Sequence, residues 1–277
     1  MPDFPEHNYL KNEQYKNANH LNVRIQLHQK FSTNKYGWFR WVFDQLDLPP
    51  NIKLLEIGCG SGALWSQNKD RIPNNWKILL SDFSPGMARE TKNNLSGLSN
   101  NFIFEIFDGT AIPFSDQSFD AVIANHMLYH LSDRKKGLAE ISRVLKPEGF
   151  FYASTIGENH QKQLSHLMAG FDLSSHNYYS PALDPSGFTL ENGAHQLGQC
   201  FEQISIHLYP DALVVTDAKP LISYILSMLS SSEINHDMDE IMNLSKHIEK
   251  IIKQKGSIYI QKSSGIFIGR NKKVGND

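Results

Sequence analysis

From residue 52 to residue 155, short apolar runs alternate with segments whose apolar residues recur at helical spacing. The runs Lys53–Ile57, Trp76–Asp82, Asn101–Asp108, Phe119–Ala124 and Gly149–Ser154 predict strands. Helices are predicted between them, over about 61–70, Pro85–Asn94 and Asp133–Leu145. Ser84-Pro85 reads as an N-cap followed by proline at the first helical position. Lys146-Pro147-Glu148-Gly149 reads as a helix stop and a turn into the next strand. Strands alternating with helices imply an α/β fold, a mostly parallel sheet with helices on both faces.

The flanks have other rhythms. Residues 1–50 begin polar and Asn-rich and turn aromatic. Trp38–Leu48 carries Phe39, Val42, Phe43 and Leu46 at helical spacing, and Pro49-Pro50 closes that helix. After residue 157, the stretch 158–187 is mixed and rich in His, Ser and Tyr. FTLENGAHQLGQCF reads as a helix and QISIHLYP as a strand. Helices follow over about 217–230 and 236–254, and SIYIQKSSGIFIGR reads as a closing strand. One α/β domain over 51–277 is expected, with insertions at about 158–187 and 211–256.

Composition narrows the classes. The chain has 277 residues, 40% hydrophobic and 20% charged, an ordinary globular balance with room for one large domain. Its net charge of −2 supplies no overall positive field for nucleic acid or anionic lipid. The two cysteines, Cys59 and Cys200, have neither metal-ligand spacing nor the density of a disulfide framework. MPDFPEHNYL lacks the character of a signal peptide, and no 18-residue apolar run occurs. The expectation is a cytoplasmic protein without membrane insertion.

The stretch LLEIGCGSGAL, residues 54–64, carries the first chemical signal. Glycines between a strand and a helix let a ligand approach bare backbone at the helix N-terminus. Gly58, Gly60 and Ala63 also satisfy the dinucleotide fingerprint, so an NAD reading stands beside a nucleoside reading. Three carboxylates discriminate. Glu56 just before the loop repels a pyrophosphate and suits an ammonium group. Asp82, ending the second strand, suits ribose hydroxyls in either ligand. Asp108, ending the third, suits the exocyclic amine of adenine. Together they describe ribose, adenine and a cationic amino-acid end, which S-adenosylmethionine has.

LLEIGCGSGALW, LLSDFSPGM, IFDGTAIPFSDQSFDAVIANHMLYHL and ISRVLKPEGFFYAST resemble, in order, the motifs of class I S-adenosylmethionine-dependent methyltransferases. The likeness is to the branch holding the ubiquinone/menaquinone-biosynthesis type domain, and it covers about 52–156. It implies a Rossmann-like seven-stranded sheet with its last strand antiparallel, QISIHLYP and GIFIGR supplying the final two strands. It places Glu56 and the backbone of Gly58–Gly62, Cys59 and Gly60 included, near the methionine part of S-adenosyl-L-methionine. Asp82 then holds the ribose, and Phe83 or Met87 packs on adenine, unless each only fills the core. Asp108, with the backbone of Gly109 or Thr110, reads the adenine edge. Asn125 and His126 lie beside the sulfonium.

Within residues 1–50, read as an N-terminal helical lid, Tyr36, Trp38 and Trp41 can cover the sulfonium by cation–π contact or form the buried face of an amphipathic helix. His126 is the candidate general base or substrate contact, with His130 more structural and Tyr129 either orienting the substrate or filling a corner. His126 and His130 are four apart, but no third ligand accompanies them, so no metal is expected. The expected acceptor is a small molecule methylated on O, N or C, with substrate choice in the lid, 158–187 (HNYYSPALD, 176–184, included) and 211–230. No nucleic-acid partner is expected, and the chain is read as a monomer or homodimer. The rival readings are a non-catalytic cofactor-binding protein, an RNA methyltransferase and a nicotinamide-dependent oxidoreductase.

Overall fold

The computed structural model describes residues 16, 18–98, 102–169, 171, 187–228 and 238–272. Its centre is a seven-stranded sheet. The strands are β1 (Lys53–Ile57), β2 (Lys77–Asp82), β3 (Phe102–Ile106), β4 (Phe119–Asn125), β5 (Leu145–Ile156), β6 (Phe201–Leu208) and β9 (Ser264–Asn271). Their spatial order is β3-β2-β1-β4-β5-β9-β6. β1 to β5 are parallel, and β9 runs antiparallel between β5 and β6. Chain order reverses at β1, so β1 and β4 flank the switch point at whose strand ends open α/β sheets bind ligands.

Strand parity divides the core. Leu55 and Ile57 of β1, Val122 and Ala124 of β4 and Phe151 of β5 pack on one face, under α5 (Arg134–Val144). Leu54, Ala121, Ile123 and Tyr152 pack on the other, with Val42 and Phe43 of α2 (Trp38–Asp44) and Leu64 and Trp65 of α3 (Ala63–Ser66). Alternation therefore puts Glu56 on the α3 side, 1% exposed. α4 (Pro85–Asn94) starts where the sequence says it should, with the Ser84 hydroxyl accepting from Met87 N.

A separate core joins segments far apart in sequence. It holds Leu27 and Phe31 of α1 (Asn19–Phe31), Leu164 and Met168 of α6 (Lys162–Met168), and Leu221 and Ile225 of α8 (Ala218–Leu226). Leu244 and Ile248 of α9 (Met238–Lys255) complete it, with the two-stranded sheet of β7 (Ala212–Val215) and β8 (Ile258–Gln261). The N-terminal helix and the downstream segments thus form one cap over the strand ends. α7 (Gly193–Leu197) instead packs under β9, where Gly193 leaves room for the Phe267 ring.

Three expectations about elements need correction. The helix expected over 61–70 ends at Ser66, because the Asn68 amide donates to Leu64 O at 2.8 Å and Phe39 O at 3.0 Å and closes it. The residues 146–149 read as a turn lie inside β5, as a bulge where pairing jumps from Phe119–Leu145 to Ala121–Phe150. The closing strand is two strands in two sheets. Between β8 and β9 the chain turns at Lys262, buried against Asp211, and at Ser263, whose N–H donates to His160 Nδ1. The segment 176–184, read as part of the acceptor site, lies outside the described residues.

Candidate active site

A cavity of about 610 Å³ opens at the C-terminal ends of β1, β2 and β4 and runs beneath the cap. Most of the residues singled out for the cofactor line it: Tyr36, Glu56, Gly58, Cys59, Gly60, Asp82, Phe83, Met87, Asp108, Gly109, Asn125 and His126. Gly62 and Thr110 do not. A Cβ on Gly62 would stand 2.9 Å from Thr91 Cγ2, so this third glycine serves helix packing rather than the ligand. Trp41 is likewise off the cavity wall, packed on Tyr209 with ring centroids 5.1 Å apart. Trp38 faces the cavity, its ring 5.0 Å from that of His126. Tyr36 stands at the rim, 48% exposed, its hydroxyl bonded to Asp44.

Backbone shape explains the glycine loop. Gly58 and Gly60 have φ of 67° and 58°, in the left-handed region that favours glycine. A Cβ on Gly58 would lie 2.7 Å from Met127 Cβ, and one on Gly60 would lie 3.1 Å from Leu21 Cδ2 on α1. Asp82 braces the turn: Oδ2 accepts from Gly60 N at 3.0 Å and Oδ1 from Ser84 N at 2.9 Å. Glu56 Oε2 accepts from Trp65 Nε1 at 2.6 Å. Burial pushes the Asp82 carboxyl up to about 6, against the pull of those two N–H groups. Burial, the neighbouring Asp82 charge adding to it, pushes Glu56 up to about 7. The Cys59 thiol is pushed up too, mainly by burial, which makes it an inert wall rather than a nucleophile.

At the end of β4, His126 adopts φ 53°, a strained value for a residue with a side chain. Its N–H donates to Ser154 Oγ at 3.0 Å, and that hydroxyl donates to Asn125 Oδ1 at 2.5 Å. Burial, with the positive potential of Lys262 among its neighbours, holds the imidazole down to about 3. His130 is held down to about 3 in the same way, with Arg24 adding to the effect of burial. Both rings are neutral at pH 7. Among the described residues, no group of three or more His, Cys, Asp or Glu side chains is arranged to hold a metal, and no helix is long and apolar enough to cross a membrane.

Residues 55–153 match the family described as a methyltransferase domain. Over these residues the chain is similar to class I S-adenosylmethionine-dependent methyltransferase domains. The demethylmenaquinone methyltransferase of Desulfitobacterium hafniense is 31% identical to the chain over 115 residues, 41% of this chain and 46% of the relative. The chain spans less than half the length of such curated relatives. Among solved structures, the YcgJ protein of Bacillus subtilis superimposes with a TM-score of 0.57 at 15% identity, covering 85% of this chain and 98% of its own. The [4+2]-cyclase SpnF superimposes with a TM-score of 0.53 at 19% identity, covering 86% and 80%. These structural likenesses speak to the methyltransferase-type fold alone.

The other wall of the cavity comes from the cap, and sequence reading missed it. Arg24, His28, His160, Gln161, Asp211, Tyr224 and Lys262 all line it. They come from four separated segments, and no local motif joins them. One signal was present: Leu21, Arg24, Ile25 and His28 follow the i, i+3, i+4, i+7 spacing of one helix face.

Proposed function

We propose that this protein transfers a methyl group from S-adenosyl-L-methionine to an O, N or C atom of a small molecule. The observation that carries the proposal is the convergence of Glu56, Asp82 and Asp108, from the ends of consecutive chain segments, on one cavity floored by bare glycine backbone. The residues fit the cofactor. Two carboxylates buried against neutral donors favour a ligand that brings hydroxyl and cationic groups. A pyrophosphate beside Glu56 is repelled. When bound, S-adenosyl-L-methionine supplies a methyl group already made electrophilic by its sulfonium.

The chain's own residues have the remaining tasks. Asp82 holds the ribose and Glu56 the amino-acid end, with Phe83, Met87, Asp108 and Gly109 around the base. Asn125 and His126 stand where the acceptor meets the methyl group. Trp38 and the cap exclude water, which strengthens every polar contact inside. A ring held down to about 3 stays neutral, so His126 accepts a hydrogen bond from the acceptor and orients it rather than resting as an imidazolium.

The test is a calorimetric titration with S-adenosylmethionine, S-adenosylhomocysteine and NADH in parallel, repeated on Asp82→Ala. Binding of the first two, weakened by roughly tenfold or more in the variant, supports the reading. Binding of NADH alone overturns it.

A further inference from the structure

Among the described residues, the cap wall of the cavity carries a cation that no carboxylate neutralises. Arg24 donates from Nε to Ser227 Oγ at 3.2 Å and from Nη2 to Ser227 O at 2.7 Å, both uncharged acceptors. No carboxylate among the described residues pairs with it. Lys262, another cation lining the cavity, is neutralised by Asp211 at 2.6 Å, both side chains being almost fully buried. One turn along α1 from Arg24, His28 Nδ1 is buried with no hydrogen-bond partner. Gln161, on the same cavity, is 3% exposed and its Nε2 likewise has no partner, although its Oε1 accepts at 2.7 Å from Tyr224, whose ring lies 5.8 Å from that of His28. Buried polar groups are normally satisfied, so two unsatisfied groups lining the same cavity as a guanidinium with no carboxylate partner among the described residues describe a site for a polar ligand.

We propose that the methyl acceptor carries a carboxylate, held at the cap end of the cavity by Arg24 with Gln161 as a neutral donor beside it. This deepens the methyltransferase reading and rests on it. The charge balance selects an anion: with Lys262 matched by Asp211, Arg24 has no carboxylate partner among the described residues, and Lys35 and Arg40, which line the same cavity, add positive charge. The body of the acceptor is apolar, since Leu21, Ile25 and Trp38 line the same cavity and Leu21 reaches Gly60 of the glycine loop. The cavity is divided electrically, acidic at the strand ends and basic under the cap, so the two ligands are sorted to opposite ends.

The test measures binding of benzoate, phenylacetate and 3-phenylpropionate, each against its amide, to protein saturated with S-adenosylhomocysteine. Phenyl phosphate is included as a dianion. At least one acid is expected to bind roughly tenfold to a hundredfold more tightly than its amide, the usual worth of a charged hydrogen bond. Arg24→Gln keeps a donor for Ser227 but removes the charge, and it should erase that preference while S-adenosylhomocysteine binds as before. Arg24→Lys should retain part of the preference, which separates lost charge from lost packing. Acids and amides binding alike, no binding of any acid, a preference that survives Arg24→Gln, or tighter binding of phenyl phosphate than of every acid each overturns the proposal. If S-adenosylhomocysteine itself fails to bind the unaltered protein, the methyltransferase reading falls as well; if it binds normally, only the carboxylate site does.

Discussion

Glu56→Gln separates what the buried carboxylate does for the fold from what it does for the ligand. In the free protein Glu56 is 1% exposed and accepts one hydrogen bond from the Trp65 indole, an acceptor role that glutamine keeps. The unfolded chain releases the Glu56 proton near 4.5, whereas burial holds it in the fold up to about 7. Between those values the folded state binds more protons than the unfolded one, so stability falls as pH rises through the window and levels off above it. A rise from 4.5 to about 7 corresponds to about 3 kcal/mol withdrawn by neutral pH. Glutamine has no charge to withdraw it. Urea denaturation of the free protein should therefore find the variant close to the parent at about pH 4 and up to about 3 kcal/mol more stable at about pH 8. The same variant should bind S-adenosylhomocysteine roughly tenfold or more weakly, because the charge facing the amino-acid end is gone. Equal differences at both pH values, or a variant less stable at the higher one, would refute the account of Glu56 as a desolvated carboxylate.

Other substitutions probe separate parts of the site. Gly58→Ala should lower stability by about 2 kcal/mol or more, read as a drop in Tm, since it combines a φ of 67° with a Cβ 2.7 Å from Met127 Cβ. Lys262→Met strands the buried Asp211 carboxylate and should cost about 3 to 5 kcal/mol, much of it recovered in the double variant with Asp211→Asn; an unchanged urea midpoint in the single variant would contradict the burial of the pair. With His126 held down to about 3, the pH–rate profile of methyl transfer should show no inflection from this ring near the ordinary 6.5. An inflection there that vanishes in His126→Gln would show that the acceptor draws the ring into proton transfer.

Much of the sheet was legible before any coordinates. β1 and α4 begin and end at the residues expected, because each is bounded by a local signal: an apolar run meeting a glycine, and a Ser-Pro start. The acidic end of the cavity was legible for a related reason. In a parallel sheet the strand ends share one edge, so Glu56, Asp82 and Asp108, each at or just beyond a strand end, are brought together by topology alone. Where the outcome differed, a distant contact had overruled a local preference: Asn68 reaching Phe39 O shortened α3, and the buried Lys262–Asp211 pair bent one expected strand into β8 and β9.

The sequence by itself therefore determined the α/β sheet, the glycine floor and the acidic end of the cavity, since those follow from periodicity and spacing within about a hundred consecutive residues. The cap was decided by tertiary structure. Its core draws on residues as far apart as Leu27 and Ile260, and Arg24 lines the cavity on a helix that Leu27 and Phe31, one and two turns along from it, anchor in that core. Neither the Lys262–Asp211 pair nor the lack of a carboxylate partner for Arg24 among the described residues can be read from neighbours in the chain, because whether a charge is paired depends on what folding brings within reach of it.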